Sequence, residues 1–275
     1  MNLTIPDNIK PFRFESYGVR VEITSNKQEM IDDAAAVARR ALLGRVGPID
    51  GGEVDHLFLL EQKGIQSYRL VQNSEEISRG RSRRKFLHFF DSILRVSIGE
   101  YAVDRVFLHA GVVGWNGKAI LIPADSFRGK STLVAELVRN GASYISDEFA
   151  VIDEKGLVHP FERPISMRTD DGKFNVYQLT VDDLGGVYQT EPMPIGMVLL
   201  TEYVPDHQRF TPKVLTPGQG VLEMIPFTLS IRKKTEFAFQ VLNIVASRAT
   251  IISSRRGAVK KFTKTLLNFV DKHVN

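Results

Sequence analysis

Four consecutive residues, Gly129-Lys130-Ser131-Thr132, carry the strongest chemical signal in this chain. They follow the apolar run "KAILIPA" and open the amphipathic stretch "KSTLVAELVRN", which Gly141 stops. A strand that turns sharply into a helix presents backbone N–H groups, and the positive end of the helix dipole, to an anion. In a phosphate-binding loop of the Walker A type, the lysine reaches the β- and γ-phosphates and the hydroxyl that follows ligates Mg2+. Lys130 and Ser131 have those places here, in a cradle formed by Ala124, Asp125, Ser126, Phe127, Arg128, Gly129, Lys130, Ser131 and Thr132. Two positions depart from the pattern. Ala124 stands where such loops carry a glycine, and Phe127 where many carry another. The Cβ of Ala124 is harmless if the backbone enters the turn extended. A non-glycine residue forced to positive φ costs about 1–2 kcal/mol, roughly a tenfold loss of affinity, so Phe127 would weaken binding without abolishing it.

The bulk composition narrows the function classes. With 275 residues, 43% hydrophobic and 25% charged, the chain has the make-up of an ordinary globular protein and the length for one large core or two modest ones. It has no cysteine, which excludes disulfides and thiolate zinc sites and fits a reducing cytoplasm. Its six histidines show no paired metal-ligand spacing. A net charge of +4 is too weak to argue for nucleic acid, and no recognition-helix pattern emerges. "MNLTIPDNIK" lacks the apolar core of a signal peptide, and no run has membrane-spanning length, so a cytoplasmic location is expected. The densest basic run, "RGRSRRK", reads as a solvated loop leading into a helix.

The elements that must position the loop follow from periodicity. Residues 12–24 alternate as a strand, and Ser25 with Gln28 makes a capping-box signature for the helix "QEMIDDAAAVARRALL". "VGPIDGG" is a loop. "VDHLFLLEQ" and "IQSYRLVQN" form a strand pair, and a helix spans about Ser82 to Glu100. From residue 104 the pattern changes: "RVFLHAGVVGW" and "KAILIPA" are strands joined at Asn116-Gly117, a strong hairpin signal. After the loop helix, "ASYISDEFAVID" reads as strand, polar break, strand. Short strands and loops then run to about residue 233. Two helices, "TEFAFQVLNIVA" and "GAVKKFTKTLLNFV", flank the strand "TIISS" at the end.

The run from His109 to Asp153 resembles the core of the HPr serine kinase/phosphorylases, and more closely the HPr-kinase-related P-loop kinases. A histidine-led strand ("HAGVV", from His109), the phosphate loop and an acidic pair after "RNGASYIS" stand in the family's order and register. The resemblance implies that Lys130 and the backbone of 126–131 hold the phosphates of ATP and that Ser131 binds Mg2+. It makes Asp147 the base for the acceptor hydroxyl, with His109 nearby to tune it, and Glu148 a second metal ligand. "PFERPISMR" is similar to a family segment reached only through a gap, and Glu162 is a metal-ligand candidate on that basis.

The expected fold is therefore α/β: a small N-terminal α/β domain over 1–103, suited to reading the acceptor, and a P-loop core of the HPr-kinase C-terminal-domain type over 104–275. That core should hold a mixed sheet with the phosphate-loop helix and two C-terminal helices covering it. The expected activity is ATP-dependent transfer of the γ-phosphate to a hydroxyl, serine first, of a protein or peptide. The alternatives are a small-molecule kinase of the same fold and a catalytically inactive nucleotide-binding module. The first hundred residues do not match the N-terminal domain of true HPr kinases, so HPr itself is not the expected acceptor. The resemblance also implies a homo-oligomer.

Overall fold

The computed structural model describes residues 8–125, 129–169 and 176–274. The chain divides into two compact units, Met1–Asp104 and Arg105–Asn275. Both are mixtures of sheet and helix, so the protein is α/β.

In the first unit, β1 (Phe12–Ser16) and β2 (Val19–Ser25) form a hairpin, and α1 (Gln28–Ala41) leads past β3 (Gly47–Pro48) to β4 (His56–Gln62). Then come β5 (Tyr68–Gln72), β6 (Glu75–Gly80) and α2 (Arg83–Tyr101). The sheet order is β3-β1-β2-β4-β5-β6, with β2 and β4 parallel because α1 crosses between them. Alternate residues of β2 (Val19, Val21, Ile23) join Met30 and Ala34 of α1 and Phe90 and Leu94 of α2 in one core. The expected capping box does not form. Ser25 Oγ donates to the Leu60 carbonyl and accepts from Lys27 N–H, and Lys27, not Ser25, is the N-cap of α1. The expected single strand over 12–24 is broken by Tyr17 and Gly18, both at positive φ, which makes the hairpin turn. The basic run is held by ion pairs within the unit: Arg79 with Glu76 and Arg83 with Asp33, each at 2.6 Å.

The second unit starts with β7 (Arg105–Trp115) and β8 (Lys118–Pro123), joined by Asn116 at φ 48° and Gly117 at φ 79°, as a tight two-residue hairpin requires. Next are α3 (Lys130–Arg139), β9 (Ser143–Ser146), β10 (Phe149–Asp153) and β11 (Leu157–His159). A separate ribbon pairs β12 (Ile165–Arg168) with β13 (Val176–Leu179). The long β14 (Met193–Tyr203) follows, then β15 (Lys213–Val214), α4 (Pro217–Met224), α5 (Thr235–Arg248), β16 (Thr250–Arg256) and α6 (Val259–His273). The main sheet runs β11-β10-β7-β8-β14-β16-β15, with β9 also on β7. Its centre is parallel: β14 pairs in parallel with both β8 and β16.

Both faces of that sheet are covered, so β8 is buried from Ala119 to Pro123 and reads as a continuous apolar run. On one face Leu108, Ala110, Val112 and Leu121 pack with Val221 of α4 and Val241 and Leu242 of α5. On the other, Val113, Ile120 and Ile122 pack with Leu133, Val134 and Leu137 of α3 and Leu266 and Val270 of α6. At the hairpin end, Trp115 Nε1 and Asn116 Nδ2 both donate to Asp271 Oδ1 of α6, at 2.6 and 2.9 Å. No helix among the described residues is long and apolar enough to cross a membrane.

Candidate active site

Three parallel strands bring their carboxyl ends to one edge of the sheet, where β8 gives way to the loop that opens α3. Open α/β sheets bind ligands at such an edge. Ala124 is buried and is not among the residues with positive φ, so its Cβ is accommodated where other loops have glycine. Asp125 and Thr132 are exposed. Ser126, Phe127 and Arg128 lie outside the described residues. Gly129 is the N-cap of α3, left-handed at φ 76°, so a glycine is retained where the backbone demands one.

Lys130, the first residue of α3, is only 8% exposed. Its Nζ lies 2.8 Å from His109 Nε2 on β7. An ammonium only donates, so Nε2 accepts and the imidazole proton sits on Nδ1. Burial lowers the Lys130 pKa to about 8, against the opposing pull of Asp147 and Asp125. Gly111 on β7 makes room for this lysine. A Cβ there would stand 2.5 Å from Val134 Cγ2 and 3.1 Å from Lys130 Cγ.

Asp147 follows β9 and is 9% exposed. Burial raises its pKa to about 6, while the Ser131 hydroxyl, the Lys130 charge and the Ser166 backbone N–H pull the other way. Its Oδ1 is buried with no hydrogen-bond partner. An unsatisfied buried acceptor costs about 1–3 kcal/mol, and such an atom in a polar site calls for a ligand. The Ser131 hydroxyl fits a divalent cation that takes few protein oxygens and fills its shell from phosphate and water, as Mg2+ does, and the open Asp147 Oδ1 fits a hydroxyl donor.

The remaining expected residues are placed differently. Glu148 makes an ion pair with Arg163 at 3.4 Å. Glu162 is half-buried, and burial raises its pKa. The segment carrying both Glu162 and Arg163 runs beside β9: Phe161 N–H donates to the Ile145 carbonyl, and Tyr144 Oη donates to the Arg163 carbonyl. Among the described residues no three acidic or histidine side chains gather as a metal cluster. His109 bonds to Lys130 and packs against Phe149, with ring centroids 6.0 Å apart.

Three participants were not singled out in the sequence: Gly111, the backbone of Ser166 and Arg256. Arg256 ends β16, and its Nη2 donates to the Gly129 carbonyl at 2.9 Å. The signal that finds it is parallel pairing. Once β16 runs with β14 and β8, its last residue falls at the loop end of the sheet.

No protein-family model and no curated protein matches the chain. Among solved structures, it is similar to the HPr(Ser) kinase/phosphatase from Coxiella burnetii at 13% identity, with a TM-score of 0.34, over 61% of this chain and 95% of that one.

Proposed function

We propose that the second unit is a P-loop kinase core of the HPr-kinase type that moves the γ-phosphate of ATP to a hydroxyl, serine first, of a protein or peptide. The observation that carries the reading is the unsatisfied, buried Asp147 Oδ1 within the same site as Lys130 and Ser131, at the N-terminus of α3. Phosphoryl transfer needs mainly positioning, positive charge on the phosphates and one carboxylate at the nucleophile. Each is supplied here by a named group.

The N-terminal N–H groups of α3 and the Lys130 ammonium hold the transferring phosphate. Ser131 would hold Mg2+, which when bound neutralises charge on the phosphate oxygens. Asp147 accepts the proton of the acceptor hydroxyl. The hydroxyl oxygen then bonds to the γ-phosphorus, the bond to the β–γ bridging oxygen breaks, and ADP leaves. A carboxylate whose pKa is raised to about 6 is ionised at neutral pH yet basic enough for this proton. The negative charge brought by the phosphates offsets the burial that lowers the Lys130 pKa, so nucleotide binding favours its charged form.

The test is transfer of labelled phosphate from ATP to serine-containing peptides, with Asp147→Asn alongside. The expected result is labelled peptide with the parent protein and at least about a hundredfold less with the variant, the range by which a positioned general base accelerates a reaction. Equal labelling by both would remove Asp147 from the mechanism.

A further inference from the structure

We propose that Arg256 is a positioning residue of the phosphate loop. Its guanidinium holds the Gly129 carbonyl, and with it the first turn of α3, in the arrangement that faces a phosphate. This inference rests on the nucleotide-binding reading of that loop.

The contact joins residues 127 positions apart, from the end of β16 to the N-cap of α3. The Gly129 carbonyl receives two donors, Arg256 Nη2 at 2.9 Å and the Leu133 N–H at 3.2 Å, the latter being the first hydrogen bond of α3. Arg256 thus grips the atom on which the helix starts. A methyl group on Gly129 would collide with Nη2, so glycine is needed there twice, for its left-handed φ of 76° and for the close approach of the arginine. Arg256 is 4% exposed and its guanidinium lies over the Tyr203 ring, 5.4 Å from the centroid. Burial lowers its pKa, yet a guanidinium stays charged in proteins. Parallel pairing of β16 with β14 fixes where Arg256 falls, so the last strand of the sheet reaches the loop through one side chain.

The test uses the full chain and two variants, Arg256→Gln and Arg256→Lys, with hydrogen exchange followed residue by residue without nucleotide. In Arg256→Gln the Leu133 amide should exchange at least about tenfold faster, as the loss of one charge-assisted bond implies, while amides of β14 keep their rates. Arg256→Lys keeps the charge and a donor and should fall between the two. ATP·Mg2+ affinity should drop in the same order. Should Arg256→Gln fail to fold, Arg256→Lys alone decides: exchange at Leu133 equal to the parent would overturn the proposal. Faster exchange at Leu133 in a protein whose parent form binds no ATP upholds the clamp and overturns the nucleotide reading instead.

Discussion

Asp147 and Lys130 both titrate away from their ordinary values, and for the same reason: each is buried. Between about pH 3.8 and 6 the folded protein keeps a proton on Asp147 that the unfolded chain has released, so stability falls as pH rises through this window. Asp147→Asn should therefore stabilise the protein by about 1–3 kcal/mol at pH 7.5 and leave it unchanged near pH 3.5, below both pKa values, in urea melts at the two pH values. An equal effect at both would mean that the carboxylate is not strained by burial. At this scale the start of α3 was legible in the sequence: a glycine stands at its N-cap, at φ 76°, and Lys130 and Ser131 follow it in the first turn. Asp147 was named through the family resemblance, the sequence pattern alone showing a polar break between two strands. Arg256 was not legible, because its role depends on a partner 127 positions away.

At the scale of elements, the site depends on how closely α3 can lie on β7. Gly111 sets that distance, since any Cβ there meets Val134 and the stem of Lys130. Gly111→Ala should cost about 1–3 kcal/mol through overpacking and should also weaken ATP binding, because the helix that moves is the one that carries Lys130. Calorimetry and denaturant melts check both effects, and a destabilised variant with unchanged affinity would separate the packing from the site. Local elements were read well where local chemistry dictates them: Asn116-Gly117 makes its hairpin, and Ser82 caps α2, its hydroxyl accepting from Lys85 N–H. The strand β14 and the helix α4 were read only as short strands and loops. The register of β14 is set by β8 and β16, both distant in sequence, and a parallel strand carries no turn signal to announce its partners. The Ser25 capping box failed for a related reason: its hydroxyl found a better acceptor, the Leu60 carbonyl, across the sheet.

At the scale of the molecule, each unit has its own hydrophobic core: Phe14, Phe58, Phe90 and their neighbours in one, and the two faces of the eight-stranded sheet in the other. Every residue of the proposed phosphate site belongs to 105–275. That segment alone should fold with a cooperative melt and bind ATP·Mg2+ as tightly as the whole chain. Weakened nucleotide binding by the segment would show that residues before 105 complete the site.

The central claim is that a loop with alanine at 124 and phenylalanine at 127 still holds a nucleotide. It is tested most directly by calorimetric titration with ATP and Mg2+ of the parent protein beside Lys130→Ala. Micromolar binding by the parent, weakened at least about tenfold in the variant as the loss of one charged hydrogen-bond donor implies, is the predicted result. Equal binding by both proteins, or none by the parent, would contradict it.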